Sequence, residues 1–400
     1  MAGPLEGIRV VECNRVAPGS LATVLLADMG ADVIRVVEPG GPEPADESAA
    51  ARQLQRRAGQ WVDRNKRSLS LDLKKPEAQQ ILQKLASTCD VFLEGFRPGV
   101  TKRLGADYET LSKLNPRLVY CSLSGFGQDG PYRDFPAHDI NYLSLAGVLN
   151  QLGAPDAEPT IPLNLVADYA GASMHGALGV MFALFARERT GKGQLVDVSY
   201  LDATISLLCA VPSFMAFLAG GPEPQRGLGT FDGTRPYYTT YTCADGKLLS
   251  IGSTEPHLWH NFCDAVDRPD LKAAELQPGE AIRGPRPEQV TAKQEVAKLL
   301  ATKTRDEWYE ILTKADVCVG KVYDPHEVFE DPQVRHRGMA VDLPIGGGSV
   351  LNPGVAIKLS DTPGEIRFPT PLQGAHTDEI LSELGYSSTD ISGFRTAGAV

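Results

Sequence analysis

The sequence predicts an α/β protein of two domains, the larger with a Rossmann-like parallel sheet and the smaller of α+β type. Two observations predict this fold class. From the N-terminus onward, short apolar runs typical of buried strands alternate with helical patterns, and strands joined by helices pair in parallel through right-handed crossovers. The chain also has 400 residues, a length at which one hydrophobic core usually divides into domains.

The first elements predict a β-α-β unit. Residues 7–13 (GIRVVEC) are typical of a buried strand, residues 21–29 have helical spacing, and residues 32–38 predict a second strand. The first turn lacks G-x-G-x-x-G, which disfavours dinucleotide binding. The other predicted elements of the larger domain are strands at 66–73, 91–94, 118–123 and 195–199 and helices at 76–87 and 168–187.

A stretch rich in Gly and Pro, residues 220–233, indicates the domain boundary. Beyond it, YYTTYTC and KLLSIGS flank a short turn and predict a hairpin, and helical segments follow. Gly-rich sequence after about residue 330 predicts a return to the larger domain. The predicted division is 1–205 for the first part of the large domain, 206–232 for a linker, 233–325 for the small domain and 326–400 for the return.

The composition argues against two kinds of binding partner, nucleic acid and membrane. The formal net charge is −11, which argues against a nucleic-acid surface, where basic patches are expected. Residues 203–221 carry no charge, but Ser, Thr and Pro212 interrupt them, so we expect no membrane span.

The cysteines indicate a reducing compartment. There are seven, scattered and without a CxxC pair, which favours free thiols over a disulfide framework. The N-terminus shows no basic segment followed by an apolar run, so no signal peptide is expected. Together these features predict a cytoplasmic protein.

The candidate catalytic groups lie in the stretch 131–171, PYRDFPAHDINYLSLAGVLNQLGAPDAEPTIPLNLVADYAG. His138 precedes one helical pattern and Asp168 starts the next. Helix N-termini present unpaired N–H groups and a positive dipole end. Two proton-transfer groups beside such donors are suited to removing a proton from carbon and holding the resulting enolate.

These residues belong to a longer series of motifs: GIRVVE, LADMGADVIRVVEP, LVYCSLSGFGQDGP, HDINYLSLAGVL, PLNLVADYAG, RTGKGQLVDVSYLDA, GSTEPHLW and DPQVRHRGM. With them, nearly the whole chain resembles the type III coenzyme A transferase superfamily. HDINY and GSTEPHLW point within it to the α-methylacyl-CoA racemase branch. Transferases of the superfamily lack the HDINY run and use an aspartate near Asp168 as a covalent nucleophile.

The resemblance implies a role for each matched residue. His138 and Asp168 match two catalytic bases, Glu255 matches a glutamate that pairs with the histidine, and the backbone N–H of Asp139 matches the donor to the thioester oxygen. The positions that match coenzyme A contacts are Leu71, Asp72, Leu73, Lys74, Gly95, Phe96, Arg97, Arg103, Ala137, Asn141 and Tyr142.

One departure affects the adenine–phosphate end of the ligand. Several racemases carry an arginine where this chain has Glu38. Another arginine would then hold that end, and the candidates are Arg35, Arg56, Arg57 and Arg64.

The resemblance also implies the assembly and the reaction. It implies an interlocked homodimer in which His138 and Glu255 of one site come from different chains. The implied reaction interconverts (2R)- and (2S)-2-methylacyl-CoA thioesters by 1,1-proton transfer through an enolate. It needs no metal and no redox cofactor, since coenzyme A is part of the substrate.

Two alternative functions remain open from the sequence, and a metal site is disfavoured. The chain could be a coenzyme A transferase that forms an acyl intermediate on Asp168, or a non-catalytic acyl-CoA binder. His257 and His260 have the i, i+3 spacing of metal ligands, but the sequence shows no third ligand.

Overall fold

The computed structural model describes residues 3–14, 17–40, 52, 60–345 and 348–400. The chain forms two compact units: Met1–Tyr142, Asn164–Ala203 and Phe329–Val400 make the first, and Leu143–Leu163 and Thr204–Val328 the second. The segment 143–163 clusters with the second unit, whereas the sequence placed it in the larger domain. The predicted loop at 39–60, with Arg56 and Arg57, lies almost entirely outside the described residues.

A six-stranded parallel sheet organises the first unit, which confirms the predicted fold class. The strand order is β3-β2-β1-β4-β5-β6, and every neighbouring pair is parallel. The strands are β1 Arg9–Cys13, β2 Asp32–Val37, β3 Lys66–Ser70, β4 Val91–Glu94, β5 Val119–Ser124 and β6 Leu195–Ser199. The order reverses direction between β1 and β4, and in such sheets ligands bind beyond the carboxyl ends of the strands at that point.

Helices connect these strands and also occur in the second unit. The α-helices are α1 Ala17–Asp28, α2 Pro76–Ala86, α3 Val100–Arg103, α4 Tyr108–Leu114, α5 Asp139–Leu145, α6 Met174–Thr190, α7 Tyr200–Leu208, α8 Pro212–Leu218, α9 Pro256–Ala265, α10 Pro287–Leu300, α11 Arg305–Lys314, α12 Pro325–Val328, α13 Pro332–His336, α14 Thr377–Glu383 and α15 Ser388–Thr396. A π-helix covers Leu165–Ser173, and 3₁₀ turns cover Trp61–Asp63, Leu149–Gln151 and Pro269–Ala274.

The core of the first unit explains why its strands form. β4 and β5 (VFLE and VYCSLS) are buried along their whole length, as expected for parallel strands covered by helices on both faces. The apolar side of α2 packs against them through Ile81, Leu82 and Leu85, and α14 and α15 contribute Ile380 and Ile391 to the same cluster. This core holds the carboxyl ends of the strands in place.

Buried charges reinforce the sheet beside β1. Glu12 is fully buried and accepts hydrogen bonds from Lys66 Nζ at 2.7 Å and from Ser20 Oγ at 2.8 Å. Burial alone would raise the pKa of Glu12, but the charges of Lys66 and Arg35 lower it to about 2. A buried pair of this kind is costly to break from one side, by roughly 3–5 kcal/mol.

The second unit has its own sheet and core. Strands β7 Tyr238–Thr242, β8 Leu248–Gly252 and β9 Val319–Lys321 pair antiparallel in the order β7-β8-β9. The first two are the predicted hairpin. The core contains Trp259 and Phe262, stacked at 5.1 Å between ring centroids.

The last strands belong to the first unit. Ala340–Ile345 (β10) and Gly348–Pro353 (β11) form an antiparallel hairpin. The sequence predicted this return from its Gly-rich character, and the hairpin lies within 326–400.

The cysteines and the apolar helices are the features that relate to the predicted compartment and to membrane insertion. All seven cysteines are free thiols, and Cys209 and Cys318 are exposed. Among the described residues one helix, Leu165–Thr190, has the length and mean hydropathy (1.3) of a membrane-crossing segment, and 44% of that window is buried inside the protein. As a pair, α7 and α8, which overlap the uncharged stretch 203–221, also have the length and hydropathy of such a segment, but they are bent by 95° relative to each other.

Candidate active site

A cavity of about 480 Å³ opens at the carboxyl edge of the parallel sheet. Its walls come from segments that follow four strands: Pro18 after β1, Gly95–Arg97 after β4, the end of β5 with the loop behind it, and Tyr200 after β6. Both predicted bases, His138 and Asp168, line this cavity. The topology therefore brings together residues that are distant in sequence, at the edge where parallel sheets bind ligands.

His138 immediately precedes α5. Its backbone N–H donates to Asn141 Oδ1 at 3.0 Å, which is one half of a capping box and fixes the entry of the chain into the helix. The imidazole is exposed. An exposed ring at the rim of a cavity is accessible to a bound ligand.

Asp168 lies in the first turn of the π-helix Leu165–Ser173, not at its N-cap. π-helical turns are rare and are frequently found at functional sites. Burial raises the pKa of Asp168, and the negative charge of Asp139 adds to this, while a hydrogen bond from Asn164 Nδ2 (3.3 Å) and the proximity of His138 oppose it. A raised pKa makes the carboxylate a stronger base than an ordinary aspartate.

Asp139 connects the two candidate bases. Its side chain is buried, and Oδ2 accepts hydrogen bonds from the backbone N–H groups of Ala167 and Asp168, both at 2.9 Å. These are N–H groups of a first helical turn, which have no partner within the helix. The backbone N–H of Asp139 itself has no acceptor among the described residues. The resemblance implies that this N–H donates to the thioester oxygen of the ligand; Asp139 itself is buried and is not part of the cavity lining.

Aromatic residues form the apolar side of the cavity. Tyr142 packs edge-on against Tyr200 with 5.1 Å between ring centroids, and its hydroxyl donates to Ala137 O at 3.0 Å. Gly125 lies so close to Tyr142 that a Cβ there would stand 2.6 Å from the hydroxyl oxygen. Glycine at position 125 therefore leaves room for the Tyr142 ring to pack against the loop.

The predicted coenzyme A contacts fall into two groups. The residues that line the cavity are Gly95, Phe96, Arg97, Ala137, Asn141 and Tyr142. Leu71, Asp72, Leu73 and Lys74 form the turn after β3, and Arg103 ends α3. The second group lies outside the lining of the cavity. Arg97, Lys74 and Arg103 are exposed, so their charges remain accessible to an anion.

Two of the arginines considered for the adenine–phosphate end have partners in the protein. Arg35 forms ion pairs with Asp63 and, at 3.5 Å, with Glu12. Arg64 is buried and pairs with Asp28 at 2.6 Å. Arg64 is thus committed to the fold, whereas the Arg35 side chain keeps 21% of its surface exposed.

Glu255 is the N-cap residue of α9 in the second unit, and Thr254 Oγ1 donates to its carboxylate at 3.0 Å. Of the two histidines in that helix, His257 and His260, the second has a carboxylate neighbour: His260 Nε2 lies 2.7 Å from Glu275 Oε2. No group of three or more His, Cys, Asp or Glu side chains in the described part of the chain is arranged to hold a metal ion.

Sequence reasoning missed part of the lining. Pro18, Leu123, Ser124, Phe135, Pro136, Asn164 and Tyr200 also face the cavity. Leu123 ends the predicted strand 118–123, and each of the others follows or precedes a predicted element, so its sequence position alone indicated only a loop. The strand order could have identified Ser124 and Tyr200, since both lie at carboxyl ends of parallel strands.

Comparison with known proteins identifies the relatives of this chain. Residues 5–377 match the model of CoA-transferase family III. The α-methylacyl-CoA racemase of Homo sapiens is 38% identical over 97% of this chain and 95% of its own length. A succinate–glutarate CoA-transferase of Agrobacterium fabrum is 34% identical over 95% of this chain and 96% of its own length.

A solved structure shares the fold. The crystal structure of a CAIB/BAIF family protein from Brucella suis superposes with a TM-score of 0.78 at 28% identity, covering 96% of this chain and 100% of that one. The similarity to racemases and transferases over nearly the full chain confirms the resemblance read from the motifs, at the level of the family.

Proposed function

The chain belongs to CoA-transferase family III, whose enzymes include racemases and CoA-transferases, and on this premise we propose that it is a racemase. It would interconvert (2R)- and (2S)-2-methylacyl-CoA thioesters by moving the C2 proton. The observation that carries the proposal is the presence of two proton-transfer groups, His138 and Asp168, in one cavity.

The roles follow from the placement of the groups. One base removes the weakly acidic C2 proton, and the conjugate acid of the other returns a proton to the opposite face. Histidine, with an ordinary pKa near 6.5, can begin either neutral or protonated, and Asp168 is a strengthened base. The backbone N–H of Asp139 donates to the enolate oxygen. In other enzymes, removing one such donor costs roughly 3–4 kcal/mol of transition-state stabilisation.

The proposal uses the protein's own groups. Coenzyme A enters as part of the substrate, with Arg97 and Arg103 as its charged contacts. No redox or metal step takes part in the reaction, because an enolate can form and collapse by proton transfer alone. The free thiols support a reducing, cytoplasmic setting.

A test of the reaction uses wild-type protein in D₂O. We expect each pure enantiomer of a 2-methylacyl-CoA to gain deuterium at C2 and to lose optical purity without any added acid. NMR and chiral chromatography measure the two changes. If neither enantiomer exchanges, the racemase proposal is wrong.

A CoA-transferase is the second candidate, because Asp168 lines the same cavity and a relative 34% identical to this chain is a transferase. It would form a covalent acyl intermediate on Asp168 and move CoA to a free carboxylic acid. The same assay with succinate or another acceptor acid distinguishes the two reactions. Acceptor-dependent transfer of CoA at rates equal to turnover would favour the transferase.

We also propose that the protein is a homodimer in which Glu255 of one chain pairs with His138 of the other. An exposed apolar face on α6 supports this assembly. Met174, Leu178, Phe182 and Phe185 follow the i, i+4, i+8, i+11 spacing of one helix face, and Phe182 and Phe185 are 69% and 68% exposed. Contiguous exposed apolar surface of this kind marks interaction sites.

Phe182→Asp is expected to weaken the dimer, since burial of one Phe side chain contributes about 1.5–3 kcal/mol and a buried charge would add a further penalty. Light scattering should show wild type at twice the chain mass of 43.0 kDa and the variant shifted towards one chain mass. Leu114→Asp, at another exposed apolar position, serves as the control. A fully active wild-type monomer would contradict the proposal.

A further inference from the structure

Glu94 is a buried carboxylate at the carboxyl end of β4, directly before the cavity turn 95–99. It is 3% exposed. Its Oε2 accepts the backbone N–H of Phe96 at 2.7 Å, and its Oε1 accepts the hydroxyl of Ser122 on the neighbouring strand. One side chain therefore connects the start of a turn that lines the cavity to the neighbouring strand β5.

The connection continues to the next loop of the cavity. Gln128 Nε2 donates to Ser122 Oγ at 2.7 Å, and Gln128 N donates to Asp197 at 3.0 Å. Arg133 Nε donates to the carbonyl of Gln128 at 2.9 Å. Hydrogen bonds through Ser122 therefore connect Glu94, and with it the turn 95–99, to the loop that follows β5.

The charge of Glu94 is not neutralised by a cation in the described part of the chain. Burial raises its pKa from 4.5 to about 7, with Asp197 adding to the rise and the Ser122 and Phe96 hydrogen bonds opposing it. The other titratable groups that interact with it are Tyr120, Cys121 and Tyr200, and burial raises the pKa of each of them. Cys13 lies opposite Glu94 in the pairing of β1 with β4. Glu94 is therefore the member of this group that changes charge near neutral pH.

We propose that Glu94 is a positioning residue for the coenzyme A portion of the ligand, holding the turn 95–99 firmly when ionised and less firmly when protonated. This rests on the acyl-CoA function proposed above. The physical reason is that a hydrogen bond to a charged acceptor is stronger than one to a neutral acceptor. Arg97 lies in this turn and lines the cavity, so its position depends on the Phe96 bond.

Glu94→Gln tests the proposal because it has the shape of the protonated residue and no charge. Its amide oxygen can accept from Phe96 N–H and its amide N–H can donate to Ser122 Oγ, so both contacts can form, but neither has an ionised acceptor. With coenzyme A itself as the probe, isothermal titration should show about fivefold weaker binding than wild type at pH 8. The difference should disappear at about pH 5.5, where wild type is protonated too. The quantity compared is the ratio of the Kd of Glu94→Gln to the Kd of wild type at the same pH. Ionisation of the ligand and of other residues affects both Kd values equally and therefore cancels from the ratio.

Ser122→Ala is the matched variant in the same network. It removes a hydrogen bond that lowers the pKa of Glu94, so the pH at which binding weakens should move upward from about 7, whereas Glu94→Gln should abolish this transition. In kinetic assays Glu94→Gln should raise KM with little change in kcat, as for lost uniform binding.

A stability measurement separates positioning from a purely structural role. When a carboxyl group has a higher pKa in the folded state than in the unfolded state, the folded protein loses stability as pH rises between the two values. Glu94→Gln should then melt at or above the wild-type temperature at pH 8, while binding coenzyme A more weakly. A pH-independent Kd ratio, or wild-type affinity at pH 8, overturns the inference and leaves the racemase proposal standing. Failure of wild type to bind coenzyme A overturns both.

Discussion

His138→Ala and Asp168→Ala are each expected to slow racemisation of a 2-methylacyl-CoA by about two to four orders of magnitude, the contribution of one general acid–base group. The reason is that inversion at C2 needs both groups in every turnover, one to remove the proton and one to return it. Loss of either interrupts the reaction in both directions.

The two variants should nevertheless differ in proton exchange. The base that remains can still deprotonate the enantiomer whose C2 proton faces it and return a deuteron to the same face. Each variant should therefore keep some C2 deuteration of one enantiomer without inversion, and the two should favour opposite enantiomers. NMR of deuterated product combined with chiral analysis, on both pure enantiomers, measures this pattern.

Two control variants and the alternative transferase mechanism each predict a different result. His336→Ala and Asp361→Ala remove the same residue types from exposed positions outside the cavity lining and should behave as wild type. In a transferase only Asp168→Ala would be inactive, and wild type would accumulate a hydroxylamine-sensitive acyl-enzyme. Full racemisation by His138→Ala would rule out the two-base mechanism.

Local patterns were sufficient to predict the sheet. Runs such as VFLE and VYCSLS have no polar alternation, so they indicate strands that are buried on both faces. The helices between them, together with the handedness rule for crossovers, then limit the topology to a parallel sheet. Pairing partners of opposite charge, such as Lys66 with Glu12, are 54 residues apart and leave no local signal.

The candidate site was only partly predictable for the same reason. HDINY and its neighbours indicated His138 and Asp168 by resemblance, and the structure places both on one cavity. The roles proposed for Glu94 and for the Asp139 side chain rest on hydrogen bonds that reach other segments, to Ser122 from Glu94 and to the backbone N–H groups of Ala167 and Asp168 from Asp139. Such contacts depend on how strands and helices meet in space, so the identity of the residues does not reveal them.

Asp139→Ala is expected to reduce turnover by about 100-fold, although the substitution leaves in place the backbone N–H that is proposed to bind the enolate. Its carboxylate accepts the N–H groups of Ala167 and Asp168 at 2.9 Å, and hydrogen bonds to charged groups contribute about 1.5–3 kcal/mol each. Without them the first turn of the π-helix loses its cap, and Asp168 is no longer held against the cavity.

Asp139→Asn separates geometry from charge in the same position. The amide oxygen can still accept both N–H groups, so most activity should return relative to Asp139→Ala. The negative charge that raises the pKa of Asp168 is lost, so that pKa should fall. The acidic limb of the pH–rate profile that depends on ionised Asp168 should then move to lower pH, and Asp168 should be a weaker base.

Asp107→Ala provides the matched control. Asp107 caps α4 by accepting from Thr110 N at 3.1 Å, in the same unit but outside the cavity lining. Its loss should cost about 1 kcal/mol of stability, as for other N-caps, with turnover unchanged. If Asp139→Ala showed only a comparable loss of stability and kept turnover within about threefold of wild type, the side chain would be a simple helix cap. If instead turnover falls and Asp139→Asn restores it with a shifted pH profile, the carboxylate positions the catalytic base.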